Sequence, residues 1–381
     1  MRRPSPRFEG RPLVSPLQQS VVYATETPSS LDAIYRDQSG YTYSREGHPN
    51  ATTTAAMIDA LEGAEGGVMA SSGMAAVSLA LLSCLKVGDH VVGSNQLYGR
   101  SLRLMEEELP RLGITSALFD PTDVAQAEAV ITPNTKAMLL EVVANPTLRI
   151  ADMTGLARLC ADRGITLILD NTFTTPVGFK AFEHGVDIVL HSVTKFLAGH
   201  SDAMLGWVAA QEPAVTERLH ILSHTWGMTA APFDCWLTER GLLSFPLRFE
   251  RAQANAAALA DALADMPGVA RVLYPGRSDH PDVARAAELL GGQNGAMVSF
   301  ELAGGREAAD AFAQASPLPL APTLGDISTT LSHPATSSHR NVPRQARESI
   351  GITEGFFRMS VGVDPVDTLI EGLERAARAT L

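Results

Sequence analysis

The chain has 381 residues, of which 45% are hydrophobic, 19% charged and 6% aromatic, and its formal net charge is −12. At roughly 100–200 residues per domain, this length suggests two or three domains around a large core. Acidity without any Lys/Arg run argues against nucleic acid or an anionic membrane as the main partner, and the longest apolar stretch, Met74–Leu85, falls short of the roughly 20 residues of a membrane span.

Residues 1–50, rich in Pro, Ser, Thr, Arg and Tyr, show no sustained period and read as an extended arm. The basic start MRRPSPRFEGRPLVSP has no apolar segment behind it and is not expected to act as a secretory signal. Helix is expected over Ala55–Leu61 and again over Met74–Leu85, which follows Ser71-Ser72-Gly73. A short strand, His90–Val92, comes after the turn Gly88-Asp89. A β-α-β passage is then legible: strand Ala137–Val143, helix Met153–Arg163 stopped by Gly164, and strand Ile165–Leu169. Val186–Leu190 makes a further strand. Strands alternating with helices imply a parallel sheet covered on both faces, in a domain over residues 51–244. Gly241–Pro246 is expected to break the run before a long helix, Leu247–Leu263, that ends at Pro267-Gly268. Strands at Val269–Leu273, Ala296–Glu301 and Phe357–Val361, with helices at Arg306–Gln314 and Val366–Ala379, suggest a second, smaller α/β domain over residues 245–381. Within it Ser316–Ile350 is long, polar and aperiodic, and such loops are usually functional or mobile. Cys84, Cys160 and Cys235 lie in apolar surroundings without CxxC spacing, which points to a reduced, cytoplasmic setting.

Three strand and helix ends carry chemistry. The strand within Asp187–Gly199 runs out at His191, and Ser192, Thr194 and Lys195 follow at once. Ligands of open α/β sheets bind outside the carboxyl ends of strands. A lysine held there loses its charge readily and can act as nucleophile or base, although most lysines are surface groups on loops. Asp170 ends the apolar run Thr166–Asp170, where a turn or capping role is the plain alternative. Ser71–Ala76 opens a helix whose N–H groups and dipole make an anion seat. Taken together, a phosphate seat, a strand-end Asp and a strand-end Lys are what pyridoxal 5′-phosphate requires: an amine for the Schiff base, a carboxylate for the ring nitrogen and an anchor for the phosphate. Tyr98, in the loop Gln96–Arg100, offers a face to stack on the ring.

Rival patterns are weaker. Gly199-His200-Ser201-Asp202-Ala203 approximates the nucleophile elbow of a serine hydrolase at Ser201, but lacks the strand that should precede it. His220 and His224, four apart, suit a helical metal pair but have no third ligand, so no metal site is expected. His333 and His339 flank a Ser/Thr-rich loop and are expected to order it.

From Tyr41 to the last helix the chain resembles the Cys/Met-metabolism family of PLP enzymes, which includes cystathionine γ-synthase, cystathionine γ- and β-lyases, methionine γ-lyase and homoserine-ester sulfhydrylases. The matching stretches are YSREGHPN (Tyr43–Asn50), SSGMAA (Ser71–Ala76), LYG (Leu97–Gly99), EVVANPTLRIAD (Glu141–Asp152) and LDNTFTTP (Leu169–Pro176). They continue with HSVTKFLAGHSD (His191–Asp202), TLGD and HPATSSH within Thr323–His339, and FRMSVG (Phe357–Gly362). The resemblance implies the PLP-dependent transferase fold (aspartate-aminotransferase-like, type I), with a mostly parallel central sheet. It implies Lys195 as the Schiff-base lysine, Asp170 as partner of the pyridinium nitrogen, and Gly73, Met74, Ser192 and Thr194 around the phosphate. It further implies that Tyr43 and Arg45 reach the phosphate of a neighbouring subunit in a homotetramer with shared active sites. Tyr98 would stack on the ring and shuttle a proton, Asn145 would bond the ring 3′ oxygen, and Arg358 would clamp the substrate carboxylate, with Thr323 beside it. The sequence departs from the family pattern at His48-Pro49-Asn50, Arg100 and Thr323, all near the expected substrate pocket. The expected activity is γ-elimination or γ-replacement on a sulfur amino acid or homoserine derivative, of the cystathionine γ-lyase or γ-synthase type. Cystathionine β-lyase, methionine γ-lyase and O-acyl-homoserine sulfhydrylase are the alternatives.

Overall fold

In the computed structural model, which describes residue 10 and residues 12–37 and 39–381, the apolar runs pair into two sheets; stretch 1–9 of the expected arm lies outside the described residues. The larger sheet has strands β1 (Val68–Ala70), β2 (His90–Ser94), β3 (Thr115–Phe119), β4 (Thr135–Glu141), β5 (Thr166–Asp170), β6 (Ile188–His191) and β7 (Gly206–Ala210). Their order is β1-β7-β6-β5-β4-β2-β3, and only β7 runs against its neighbours. Side chains alternate across a pleat, so Met138, Leu140, Leu167 and Leu169 enter one core while Ala137, Leu139 and Ile168 enter the other. Burial on both faces explains why these strands read as continuous apolar runs.

The helices that cover the sheet have local causes. Asp152 accepts the Gly155 N–H at 3.0 Å and starts Met153–Arg163, and Gly164 closes it at φ 61°, a backbone that favours glycine. Leu156, Leu159 and Cys160 are its buried face.

The smaller sheet, β8 (Val269–Leu273), β9 (Met297–Leu302), β10 (Thr330–Ser332) and β11 (Phe356–Ser360), has the order β10-β11-β9-β8 and is antiparallel throughout. Helices Gly305–Ala315 and Val366–Arg378 pack on it around Phe300, Phe312 and Phe357.

The break expected at Gly241–Pro246 is absent. One helix of 33 residues, Pro232–Ala264, runs through it. Proline removes the N–H that Leu242 C=O would accept. The Arg248 guanidinium and the Ser244 hydroxyl bind the adjacent Gly241 C=O, and Gly241, Leu242, Phe245, Phe249 and Ala252 stay buried on one continuous face. Arg248 also donates to the carbonyls of Phe196 and Leu197, both at 3.1 Å, and Asn255 donates to those of Gly362 and Asp364, both at 2.9 Å. The aperiodic Ser316–Ile350 segment holds β10 and a short helix, Arg344–Ser349. Among the described residues no helix is long and apolar enough to cross a membrane, and no cluster of three His, Cys, Asp or Glu can hold a metal. His220 and His224 lie on helix Pro213–Trp226 with ring centres 5.9 Å apart.

Candidate active site

Parallel strands β4, β5 and β6 deliver their last residues to one edge, so Glu141, Asp170 and His191 arrive together before the chain turns into loops. Asp170 accepts both the N–H and the hydroxyl of Thr172 on one oxygen. The Thr172 hydroxyl in turn accepts the Ser192 N–H at 2.8 Å, which ties the ends of β5 and β6 together. Burial pushes the Asp170 carboxyl up, while the two Thr172 hydrogen bonds oppose the shift.

Lys195 follows in a tight turn whose carbonyls at Phe196 and Leu197 are held by Arg248. Its Nζ lies 3.4 Å from the Thr323 hydroxyl. Burial, and then the positive charge of Arg358, push the Lys195 amine down. Arg358, on the inner strand β11, donates Nη1 to Asn145 Oδ1 at 2.7 Å and Nη2 to the Thr323 carbonyl at 2.9 Å. Its Nε is buried without a partner, and burial lowers the guanidinium to about 10. Arg358 makes no ion pair with Asp364, whose carboxylate accepts the Thr329 N–H instead. Tyr98 is partly exposed, and its backbone N–H donates to Glu141 at 2.8 Å.

The helix Gly73–Cys84 starts beside these groups. Ser72 caps the Ala75 N–H, which leaves the Gly73 and Met74 N–H groups without a partner among the described residues. A side chain at Gly73 would stand 2.7 Å from the Ser192 Cβ and hydroxyl, so only glycine lets the helix start approach the Ser192 loop this closely. Two free N–H groups at a helix start, a lysine poised to lose its charge, a strand-end carboxylate and an orphaned arginine donor match the chemistry of pyridoxal phosphate and an amino acid.

Of the hydroxyls expected at the phosphate, that of Thr194 is engaged elsewhere, accepting the Leu205 N–H at 2.9 Å and donating to the Leu205 carbonyl at 3.2 Å. Tyr43 and Arg45 form no hydrogen bond with the sheet edge: Arg45 donates to the His224 carbonyl at 3.0 Å and sits 5.3 Å from the Tyr43 ring centre. They line a separate groove of about 930 Å³ between the arm and helix Pro213–Trp226. Ser201 is exposed in a turn with no strand before it, and its hydroxyl donates to Asp326, so the hydrolase arrangement is not built.

Two residues of the edge had no site role in the sequence reading. Glu141 carried a strand-end signal like that of Asp170. His339 is brought in because the loop at Ser338 packs on Gly99, where an added Cβ would meet the Ser338 carbonyl at 2.6 Å. Burial, then the charges of Arg358 and Arg347, lower His339 to about 4.

The profile of the Cys/Met metabolism PLP-dependent enzymes matches residues 4–378. The chain belongs to this family. It is 41% identical over 345 residues to the cystathionine beta-lyase of Bacillus subtilis, covering 90% of this chain and 88% of that protein. It is 39% identical over 338 residues to the cystathionine gamma-lyase of the same organism, covering 88% of each. A cystathionine gamma synthase structure from Xanthomonas oryzae superposes with a TM-score of 0.91 at 33% identity, covering 97% of this chain and 93% of that one. The PLP-dependent transferase fold, the pyridoxal phosphate cofactor and the enzymatic character expected from the sequence are those of the family.

Proposed function

We propose that this chain catalyses γ-elimination or γ-replacement on a sulfur amino acid or homoserine derivative. The supporting observation is the convergence of Lys195 Nζ and Arg358 Nη2 on one residue, Thr323, at 3.4 and 2.9 Å. An amine and a carboxylate clamp held against the same residue suit a compact α-amino acid. Bound pyridoxal phosphate supplies the electron sink for a carbanion at the substrate Cα. Gly73 and Met74 give N–H groups to its phosphate, with the Ser192 and Thr194 hydroxyls beside them, and Asp170 faces its ring nitrogen. Thr194 turns its hydroxyl from Leu205 to do so. Lys195, lowered toward its neutral form, would take the Cα proton and, once it has passed that proton on and is neutral again, a Cβ proton. Tyr98 stacks on the ring and protonates the departing sulfur. Asn145 holds the ring 3′ oxygen and steadies Arg358, with which it already bonds.

Tyr43 and Arg45 complete the phosphate site of a neighbouring subunit, which requires at least a dimer; the working form we propose is a cytoplasmic homotetramer, a pair of such dimers with shared sites. Residues 1–50 thus act as the exchanged arm, 51–244 as the cofactor domain and 245–381 as the domain that carries Arg358. Product analysis with L-cystathionine tests the reaction. Formation of 2-oxobutyrate and cysteine supports γ-chemistry. Pyruvate and homocysteine would replace it with β-elimination, the activity named for the Bacillus subtilis relative at 41% identity.

A further inference from the structure

Glu141 is the second carboxyl of the sheet edge. It pairs in register with Asp170 across β4 and β5, and cross-strand partners point to the same face about 5 Å apart. The two differ in how they are satisfied. Asp170 has two donors from Thr172 and is only half-buried. Glu141 is 7% exposed, accepts one N–H, that of Tyr98, and leaves Oε2 buried without a partner. The charged or titratable groups facing it are Asp170, Arg358 and Tyr98. Arg358 offers its field but no hydrogen bond to Glu141: its two terminal nitrogens donate to Asn145 and Thr323, and its Nε is without a partner.

Adjacent carboxyls in a site of low polarity do not both ionise, and the proton settles on the one with fewer donors and less solvent. We propose that Glu141 keeps its proton at neutral pH and acts as a positioning residue. Its un-ionised carboxyl pins the Tyr98 backbone while leaving Asp170 the single carboxylate that faces the cofactor ring nitrogen. The inference rests on the roles given above to Asp170 and Tyr98. Burial and the neighbouring Asp170 charge push Glu141 well above the usual carboxyl range, in agreement with the geometry.

The test uses the holoenzyme and two substitutions. Glu141→Gln keeps the shape, the neutrality and the acceptor for Tyr98 N–H, so kcat/KM and the visible absorption should stay within about twofold of wild type. The infrared difference between wild type and Glu141→Gln should contain the C=O stretch of an un-ionised carboxylic acid, shifted in D2O. Glu141→Ala removes the acceptor and should weaken cofactor binding by about tenfold. A difference spectrum with only ionised-carboxylate bands, or a loss of tenfold or more in kcat/KM for Glu141→Gln, overturns the proposal. Should Glu141→Gln fail to fold, the infrared difference between wild type and Glu141→Ala, both carrying 13C-labelled glutamate, decides the matter: absence of a label-shifted carboxylic-acid band from that difference overturns it and presence supports it. Asp170→Asn separates this inference from the reading beneath it. An unchanged cofactor spectrum in that variant would remove the role of Asp170 without touching the infrared result for Glu141.

Discussion

Arg358 and Arg45 show two ways of placing a guanidinium. Arg358 is buried on an inner strand of its sheet, and Asn145 and Thr323, distant in the sequence, fix two of its three nitrogens. Arg45 is exposed, and its side chain donates to a backbone carbonyl and lies over a tyrosine face, beside a groove of about 930 Å³. The sheet edge collects an amine, two carboxyls and an arginine within one chain. The arm carries Tyr43 and Arg45, proposed above for a neighbouring subunit, over a groove apart from that edge. On that proposal the sheet edge of one chain is only part of a complete site.

The largest effect should come from the edge itself. Lys195→Ala should lose the visible absorption of the bound cofactor, and the missing proton transfer alone should reduce kcat/KM by roughly 10²–10⁴-fold. A variant that keeps both would move the chemistry away from the edge. Arg358→Lys should cost roughly 2–5 kcal/mol of substrate recognition, about 30-fold or more in kcat/KM, because an ammonium cannot reproduce the planar fork. Equal turnover of an amino acid and its carboxamide by the wild-type enzyme would show that no carboxylate is clamped there. On the arm, Arg45→Ala should weaken cofactor binding by roughly tenfold to a hundredfold, the loss of a charge-assisted hydrogen bond. Mixing Arg45→Ala chains with Lys195→Ala chains should restore activity, since one subunit class then carries an intact lysine and receives an intact arm. Full activity in a sedimenting monomer would abolish the contrast.

The smallest effect is on stability. His339, lowered to about 4 against an ordinary 6.5, binds fewer protons folded than unfolded between those values. Its contribution is complete above about pH 6.5 and is lost as pH falls toward 4, amounting to about 2 kcal/mol by pH 5. His339→Asn should reduce the drop in melting temperature between pH 7 and pH 5. An identical drop in both proteins would mean that His339 is not buried against Arg358.

Lys195 and Asp170 were legible because a polar residue at the end of an apolar strand is a local signal. Met153–Arg163 was read to the residue because its cap Asp152 and its stop Gly164 are adjacent in the sequence. Glu141 carried the same signal as Asp170, but its meaning depends on the register of β4 against β5, which no single segment encodes. The long helix was misread at Pro246 because a breaker acts locally, whereas the groups that offset it, Arg248 and the buried face, are tertiary. Strands β3 and β7 and helix Pro213–Trp226 went unread: β7, Gly206–Ala210, is a short run that takes its identity from pairing with β1 and β6.

Helix Pro232–Ala264 is also a mechanical part. Arg248 hangs the Lys195 turn from it, and Asn255, seven residues or about 10 Å further along, holds the chain just beyond β11. Both jaws of the site are thus bolted to one spar. Any hinge between the two sheets has to bend an intact helix of 33 residues or break the Arg248 and Asn255 ties. The reach from the Lys195 amine to the Arg358 guanidinium is therefore a set gauge. It measures the part that every α-amino acid shares, the distance from its amine to its carboxylate, and not the side chain.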